Sequence, residues 1–233
     1  MRKVLLYFIS GLTLVLIVGI ISFQYSRSWE RSLFIDPIYK VGNDEKIVAL
    51  TFDDGPSEIR TPALLDLLNE YNIKATFFML GEKIEKYPDI AQAVLNQGHL
   101  IGNHTYDHSR LIFKSPSFIT EQILRTEELI KEIGQEKVLY FRLPYSSKYI
   151  VLPLVLKSMD KKLVTGTYDP PSQYKSPFIA EKVADEVIKN VQPGSIIFLH
   201  DGKDNDKEQF VRSVELMIIE LKDKGYNFVR LDY

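Results

Sequence analysis

Seven short runs of β-favouring residues, alternating with longer stretches of helical spacing, constrain this chain more than any other feature. The runs are KIVALTF (46–52), KATFFML (74–80), HLIGNH (99–104), VLYFRL (138–143), KLVTGTY (162–168), SIIFLH (195–200) and NFVRL (227–231). Between them, TPALLDLLNEY sets Leu64, Leu65, Leu67 and Leu68 on one side, with Thr61 as cap and Pro62 at the first helical position. SFITEQILRTEELIKEIG carries Ile119, Ile123, Ile130 and Ile133 along one stripe and stops at Gly134. IAEKVADEVIKNV and QFVRSVELMIIELKDKG follow the same pattern. Tandem β–α units predict an α/β fold with a parallel sheet and right-handed crossovers. The length suits a small closed barrel or an open doubly wound sheet, and periodicity does not separate the two.

The N-terminus has a different texture. Arg2 and Lys3 precede an uncharged run from Val4 to Phe23, and the next charge is Arg27. About 20 such residues span roughly 30 Å as a helix, the thickness of a bilayer's hydrocarbon core. Basic residues ahead of the run favour an N-terminus on the cytoplasmic side, with the rest of the chain exported. A cleaved signal would carry a shorter apolar region and a small-residue cleavage site, neither of which is evident in GIISFQYSRSW. The expected organisation is therefore a membrane anchor (1–23), a tether (24–44) and a single α/β domain (45–233), secreted only if the first segment is removed. A formal net charge of −2 with mixed signs argues against a nucleic-acid partner. The absence of cysteine excludes disulfides, thiolate catalysis and cysteine-ligated zinc.

Active sites of parallel α/β folds form beyond the carboxyl ends of the strands. Those ends here carry Asp53-Asp54-Gly55-Pro56, Asn103-His104-Thr105 with His108, Arg142-Leu143-Pro144-Tyr145, Tyr168-Asp169 and His200-Asp201. Three of the four histidines fall at these ends. Taken singly, each piece has a plain reading: a turn, a chance histidine pair, a surface arginine, a core histidine. Taken together, a carboxylate and two imidazoles make a three-ligand site with open positions, the pattern of a catalytic zinc. His104 and His108, four residues apart, are expected on one face of a helical turn. The second aspartate of the pair is then free to act as a base, Arg142 to keep it ionised, and His200 to protonate a leaving amine.

With TFDDGP at 51–56, GHLIGNHTYDH at 98–108, FRLPY at 141–145 and SIIFLHD at 195–201, the chain resembles the polysaccharide deacetylase family, carbohydrate esterase family 4 with its NodB-homology domain, over roughly residues 45–233. The resemblance implies a distorted (β/α)7 barrel for the domain; the N-terminal transmembrane helix ahead of it is read from the apolar run alone. It also implies Asp53 as general base, Asp54, His104 and His108 as ligands of Zn2+ or another divalent metal, and Arg142 as the residue that orients Asp53. His200 would be the general acid, and the backbone N–H of Tyr145 part of the oxyanion hole. The implied reaction is removal of N-acetyl groups from a polysaccharide such as peptidoglycan. Two departures stand out. Leu143 and Ser146 replace a proline and a glycine of the third motif. Gln173-Tyr174 stands where the family offers an aspartate, which tunes the catalytic histidine, followed by a tryptophan; Asp169 is a candidate substitute. Two other readings follow: a catalytically impaired glycan-binding protein of the same fold, and a hydrolase of O-acetyl esters or another bond.

Overall fold

The computed structural model describes residues 2–42, 45–146, 148–203 and 205–233. Met1 of the expected anchor, and Asn43 and Asp44 at the end of the expected tether, lie outside the described residues. Helix α1 (Arg2–Arg27) is followed by β1 (Ile47–Gly55), α2 (Arg60–Glu70), β2 (Thr76–Met79), α3 (Gly81–Lys86), α4 (Pro88–Asn96) and β3 (Leu100–Asn103). Then come α5 (Pro116–Glu132), β4 (Tyr140–Phe141), α6 (Val151–Ser158), β5 (Lys162–Leu163), α7 (Ala180–Asn190), β6 (Ser195–His200), α8 (Lys207–Asp223) and β7 (Asn227–Phe228).

All strand pairs are parallel, in the order β5-β4-β3-β2-β1-β6, with β7 joined only to the first two residues of β1. Strand β1 is paired along both edges, by β2 and β6, and is nearly buried throughout, which is why it reads as a mostly apolar run up to its acidic end. The ring is closed by irregular backbone. Only two residues of KLVTGTY form regular strand; the chain then leaves β4 and crosses to β6, where Tyr168 pairs with Ile197 and the Thr167 N–H donates to the Ile196 carbonyl at 2.9 Å. A Cβ at Gly166 would come within 2.4 Å of the Phe198 ring, so a glycine is required at this crossing. The result is a distorted barrel in which the seventh strand contributes only at the base.

Two local expectations are revised. The first helix after β1 begins at Arg60, and its leading N–H groups are met by the Ser57 hydroxyl, which accepts from the Arg60 and Thr61 amides at 3.0 and 3.3 Å. Thr61 does not cap the helix because its own hydroxyl donates to the Asp201 carboxylate at 2.5 Å. Within the expected tether, residues 28–41 lie against the domain rather than standing off from it. Ile38 bridges to Val164 and Lys40 to Ser195, so the chain fills the seam between β5 and β6 with backbone hydrogen bonds. Upstream of it, Leu6–Arg27 is a helix of 22 residues, long and apolar enough to cross a membrane by length and composition.

Candidate active site

The two aspartates at the end of β1 work from different backbone positions. Asp53 pairs with Phe78 of β2 and with His200 of β6, whereas the β1–β2 register skips Asp54 before resuming at Gly55. Asp54 sits at φ 69°, a bulge that re-aims its side chain. Strict alternation would have sent the two carboxylates to opposite faces; the bulge brings both to one cleft. Behind them the buried Asp201 fills the space under Gly55, where a Cβ would meet its carboxylate oxygens at 2.7 Å. Burial pushes Asp201 up to about 7, against the pull of its bond from Thr61.

Asp54 Oδ1 lies 3.4 Å from His104 Nε2 and 3.2 Å from His108 Nε2, and one ligand atom from each residue falls within 4.8 Å of the others. His104 and His108 are on a loop rather than on the helical turn that their spacing suggests. Thr105 and His108 take positive φ (72° and 59°), so the backbone cannot continue as a right-handed helix. The loop is held from α5: Gln122 Oε1 accepts from the Tyr106 amide at 3.0 Å, and Asn103 bridges the Thr105 N–H and the Ile123 carbonyl. His104 Nδ1 donates to the Arg142 carbonyl at 2.8 Å, which leaves the Nε2 lone pair facing Asp54. Burial raises the pKa of Asp54, but with the imidazoles protonated the contact with His104 and the charges of His104, His200 and His108 outweigh it and hold the carboxyl well below its usual range; with His104 neutral, Asp54 faces a lone pair and no hydrogen. Its Oδ1 is buried without a hydrogen-bond partner among the described residues. An anionic oxygen and two imidazole nitrogens converging on one point fit a divalent cation.

Arg142 donates to Asp53 Oδ1 at 2.7 Å, to the Thr51 hydroxyl at 2.7 Å and to the Thr165 carbonyl at 3.2 Å. Its guanidinium is clamped between the rings of Phe78 and Phe198, 4.1 and 3.8 Å from their centroids. With Arg142 at 1% exposure, this is a buried ion pair whose partners are fixed in place. His200 faces Gln173, and an inventory of donors settles the amide's orientation. Asp169 Oδ1 (2.6 Å) and the Phe198 carbonyl (3.2 Å) only accept, so the Gln173 nitrogen serves them and its oxygen takes His200 Nδ1–H at 2.9 Å. Asp169 therefore reaches His200 through Gln173. Tyr174 OH, 2.9 Å from Asp169, closes the group. The Tyr145 hydroxyl lies 3.2 Å from His108 Nδ1, and Arg110 stacks on its ring at 3.8 Å.

These groups surround a cleft of about 420 Å³. Among the contributors to its wall that sequence reasoning missed are Lys203 and, in the segment read as a tether, Arg27 and Trp29. The available signal was Trp29 itself, the only tryptophan in the chain.

The sequence matches the polysaccharide deacetylase family over residues 40–164. It is 36% identical over 194 residues to a peptidoglycan-N-acetylglucosamine deacetylase of Bacillus cereus, covering 82% of this chain and 89% of the relative. It is 34% identical over 164 residues to a chitooligosaccharide deacetylase of Azorhizobium caulinodans, covering 70% and 77%. Among solved structures, the Bc1960 peptidoglycan N-acetylglucosamine deacetylase, in complex with 4-naphthalen-1-yl-N-oxidanyl-benzamide, superposes with a TM-score of 0.77 at 33% identity, covering 83% of this chain and 89% of that one. The chain belongs to the polysaccharide deacetylase family.

Proposed function

We propose that this chain is a zinc-dependent N-deacetylase of an N-acetylglucosamine-type glycan such as peptidoglycan, held by α1 at the outer face of the cytoplasmic membrane. The observation that carries this reading is the Arg142-paired Asp53, with His200 beside it in register, facing the trio Asp54, His104 and His108 across one cleft.

Zinc held by that trio would supply polarisation of the acetamide carbonyl and a water of lowered pKa. Asp53 takes the proton from the attacking water. Arg142 keeps it ionised and aimed, since an opposite charge in contact favours the carboxylate. His200 delivers a proton from Nε2 to the departing amine while its Nδ1–H stays bonded to Gln173. The backbone N–H of Tyr145 is assigned to the carbonyl oxygen as charge develops there. The closure of the Asp169–Gln173–His200 chain supports catalysis over a purely glycan-binding role, because it supplies the orientation that the family's missing aspartate would have given.

The test is acetate release from N-acetylglucosamine oligomers and from purified peptidoglycan by the full chain in detergent with zinc. Chelation and His104→Ala should abolish it, and Asp53→Asn should lower it about 10²–10⁴-fold while zinc stays bound. Stoichiometric zinc with no acetate from either substrate would overturn the reading in favour of a binding protein; release from O-acetylated glycan alone would make it an esterase.

A further inference from the structure

The last residues of α1 and the chain just after it are fastened to the mouth of the barrel. Ser26 is 3% exposed, and its carbonyl accepts from the Lys148 amide at 3.4 Å. The Lys148 ammonium, on a side chain itself 2% exposed, donates to the Ser28 carbonyl. The Thr165 hydroxyl donates to the Trp29 carbonyl at 2.5 Å. The indole packs against Phe198 with centroids 5.4 Å apart, on the same ring that clamps Arg142. Trp29 stays half-buried, with part of its surface lining the cleft that holds Asp53, Asp54 and His200.

The charges of this wall differ from those of the interior. Asp53 is paired with Arg142, Asp54 belongs to the metal trio, and Asp169 is bonded to Gln173 and Tyr174. At the rim, Arg27 and Lys203 line the same cleft and have no carboxylate partner among the described residues. An aromatic face beside two unpaired cations is suited to a saccharide that carries a negative group, since the ring covers apolar sugar C–H surface and the cations meet the anion.

We propose that residues 26–32 are a wall of the catalytic cleft, in which Trp29 stacks on a sugar ring of the glycan and Arg27 with Lys203 binds an anionic substituent of it, carboxylate or phosphate. The proposal rests on the glycan-deacetylase reading and narrows its substrate to acidic glycans.

Because Trp29 is the only tryptophan, its emission reports this wall directly. The full chain carrying Asp53→Asn, in detergent with zinc, is titrated with three oligosaccharides of equal length. One is a neutral N-acetylglucosamine oligomer, one alternates with muramic acid and so bears lactyl carboxylates, and one bears a terminal phosphate. The expected result is a saturable change in tryptophan emission, with at least one anionic oligomer binding about tenfold more tightly than the neutral one. Combined Arg27→Gln and Lys203→Gln, or added salt, should bring that ratio towards one. Whether carboxylate or phosphate is preferred identifies the source of the anion. In the active chain, Trp29→Ala should raise KM by about tenfold with a smaller change in kcat, and Trp29→Phe should restore most of the loss. Unchanged emission at saturating glycan, or equal affinity for all three oligomers, would overturn the proposal. Acetate release from the neutral oligomer reports on the underlying activity separately, so failure of one is not mistaken for failure of the other.

Discussion

At His200, an amide stands where the family resemblance implies a carboxylate, and one substitution is not expected to undo the difference. Gln173 accepts the Nδ1 proton of His200 and passes its own amide hydrogens to Asp169 at 2.6 Å. Gln173→Ala should therefore free the imidazole to rotate and lower kcat about tenfold or more, with little change in KM. Gln173→Asp brings a second carboxylate up to Asp169, whose pKa burial already raises, and two carboxylates in contact cannot both ionise. Alone it should not increase activity; together with Asp169→Asn it should, with a changed pH–rate profile. Full activation by Gln173→Asp alone, in steady-state assays, would mean that Asp169 does not act through residue 173. The types of the site residues were legible at strand ends, since the chemistry needs carboxylate, imidazole and guanidinium there. The amide link was not, because it depends on a loop conformation between Pro170 and Tyr174 that no periodicity encodes.

At the scale of elements, the fourth histidine shows what a structural imidazole looks like. His99, at the start of β3, is 1% exposed; its Nδ1 accepts from the Ala75 N–H at 3.1 Å, tying β3 to β2. Burial, with the charges of Lys74 and Arg230, pushes its pKa down to about 4. The unfolded chain binds a proton near pH 6.5 where the native one does not, so His99 contributes stability that is complete above about 6.5 and is lost as pH falls towards 4. The loss should amount to about 3 kcal/mol across that window. Urea midpoints at the two ends of the window should differ less in His99→Asn than in the unmodified chain; an equal difference in both would remove His99 from the account. Long helices and central strands were legible because burial imposes their periods, as in α5 and β1. The two-residue strands β4 and β5 were overread, since β-favouring residues such as Val164, Thr165 and Thr167 continue after the backbone has left the regular ladder. The bulge at Asp54 was invisible for another reason: Asp-Asp-Gly-Pro reads as a turn whether or not its register skips.

For the whole molecule, the relation between α1 and the barrel decides whether the catalytic cleft floats on a tether or is fixed beside the apolar helix. A tether of about 20 residues would allow the cleft to range up to roughly 70 Å from the helix. Residues 26–41 instead run along the domain, from Lys148 and Thr165 at the mouth to the β5–β6 seam. One link of this attachment is directly testable. Lys148 is nearly fully buried and, among the described residues, makes one side-chain hydrogen bond, to the Ser28 carbonyl; burial brings its pKa down to about 8. Lys148→Met keeps the stem's volume and removes the donor. Losing a hydrogen bond to a charged group costs about 1.5–3 kcal/mol, enough to raise the population of the detached segment about tenfold or more. Arg27 and Arg31 flank the fastened stretch, so trypsin reads that population as a rate of cleavage at these two bonds. Cleavage in Lys148→Met should speed up by about that factor, while the barrel, whose core lies elsewhere, unfolds at an unchanged urea midpoint. If the rate does not change, the segment is held without the Lys148 ammonium, by the Lys148 backbone N–H, Thr165 and the Trp29–Phe198 contact, and the same digestion of Thr165→Val becomes the measure of how firmly the cleft is kept beside the helix.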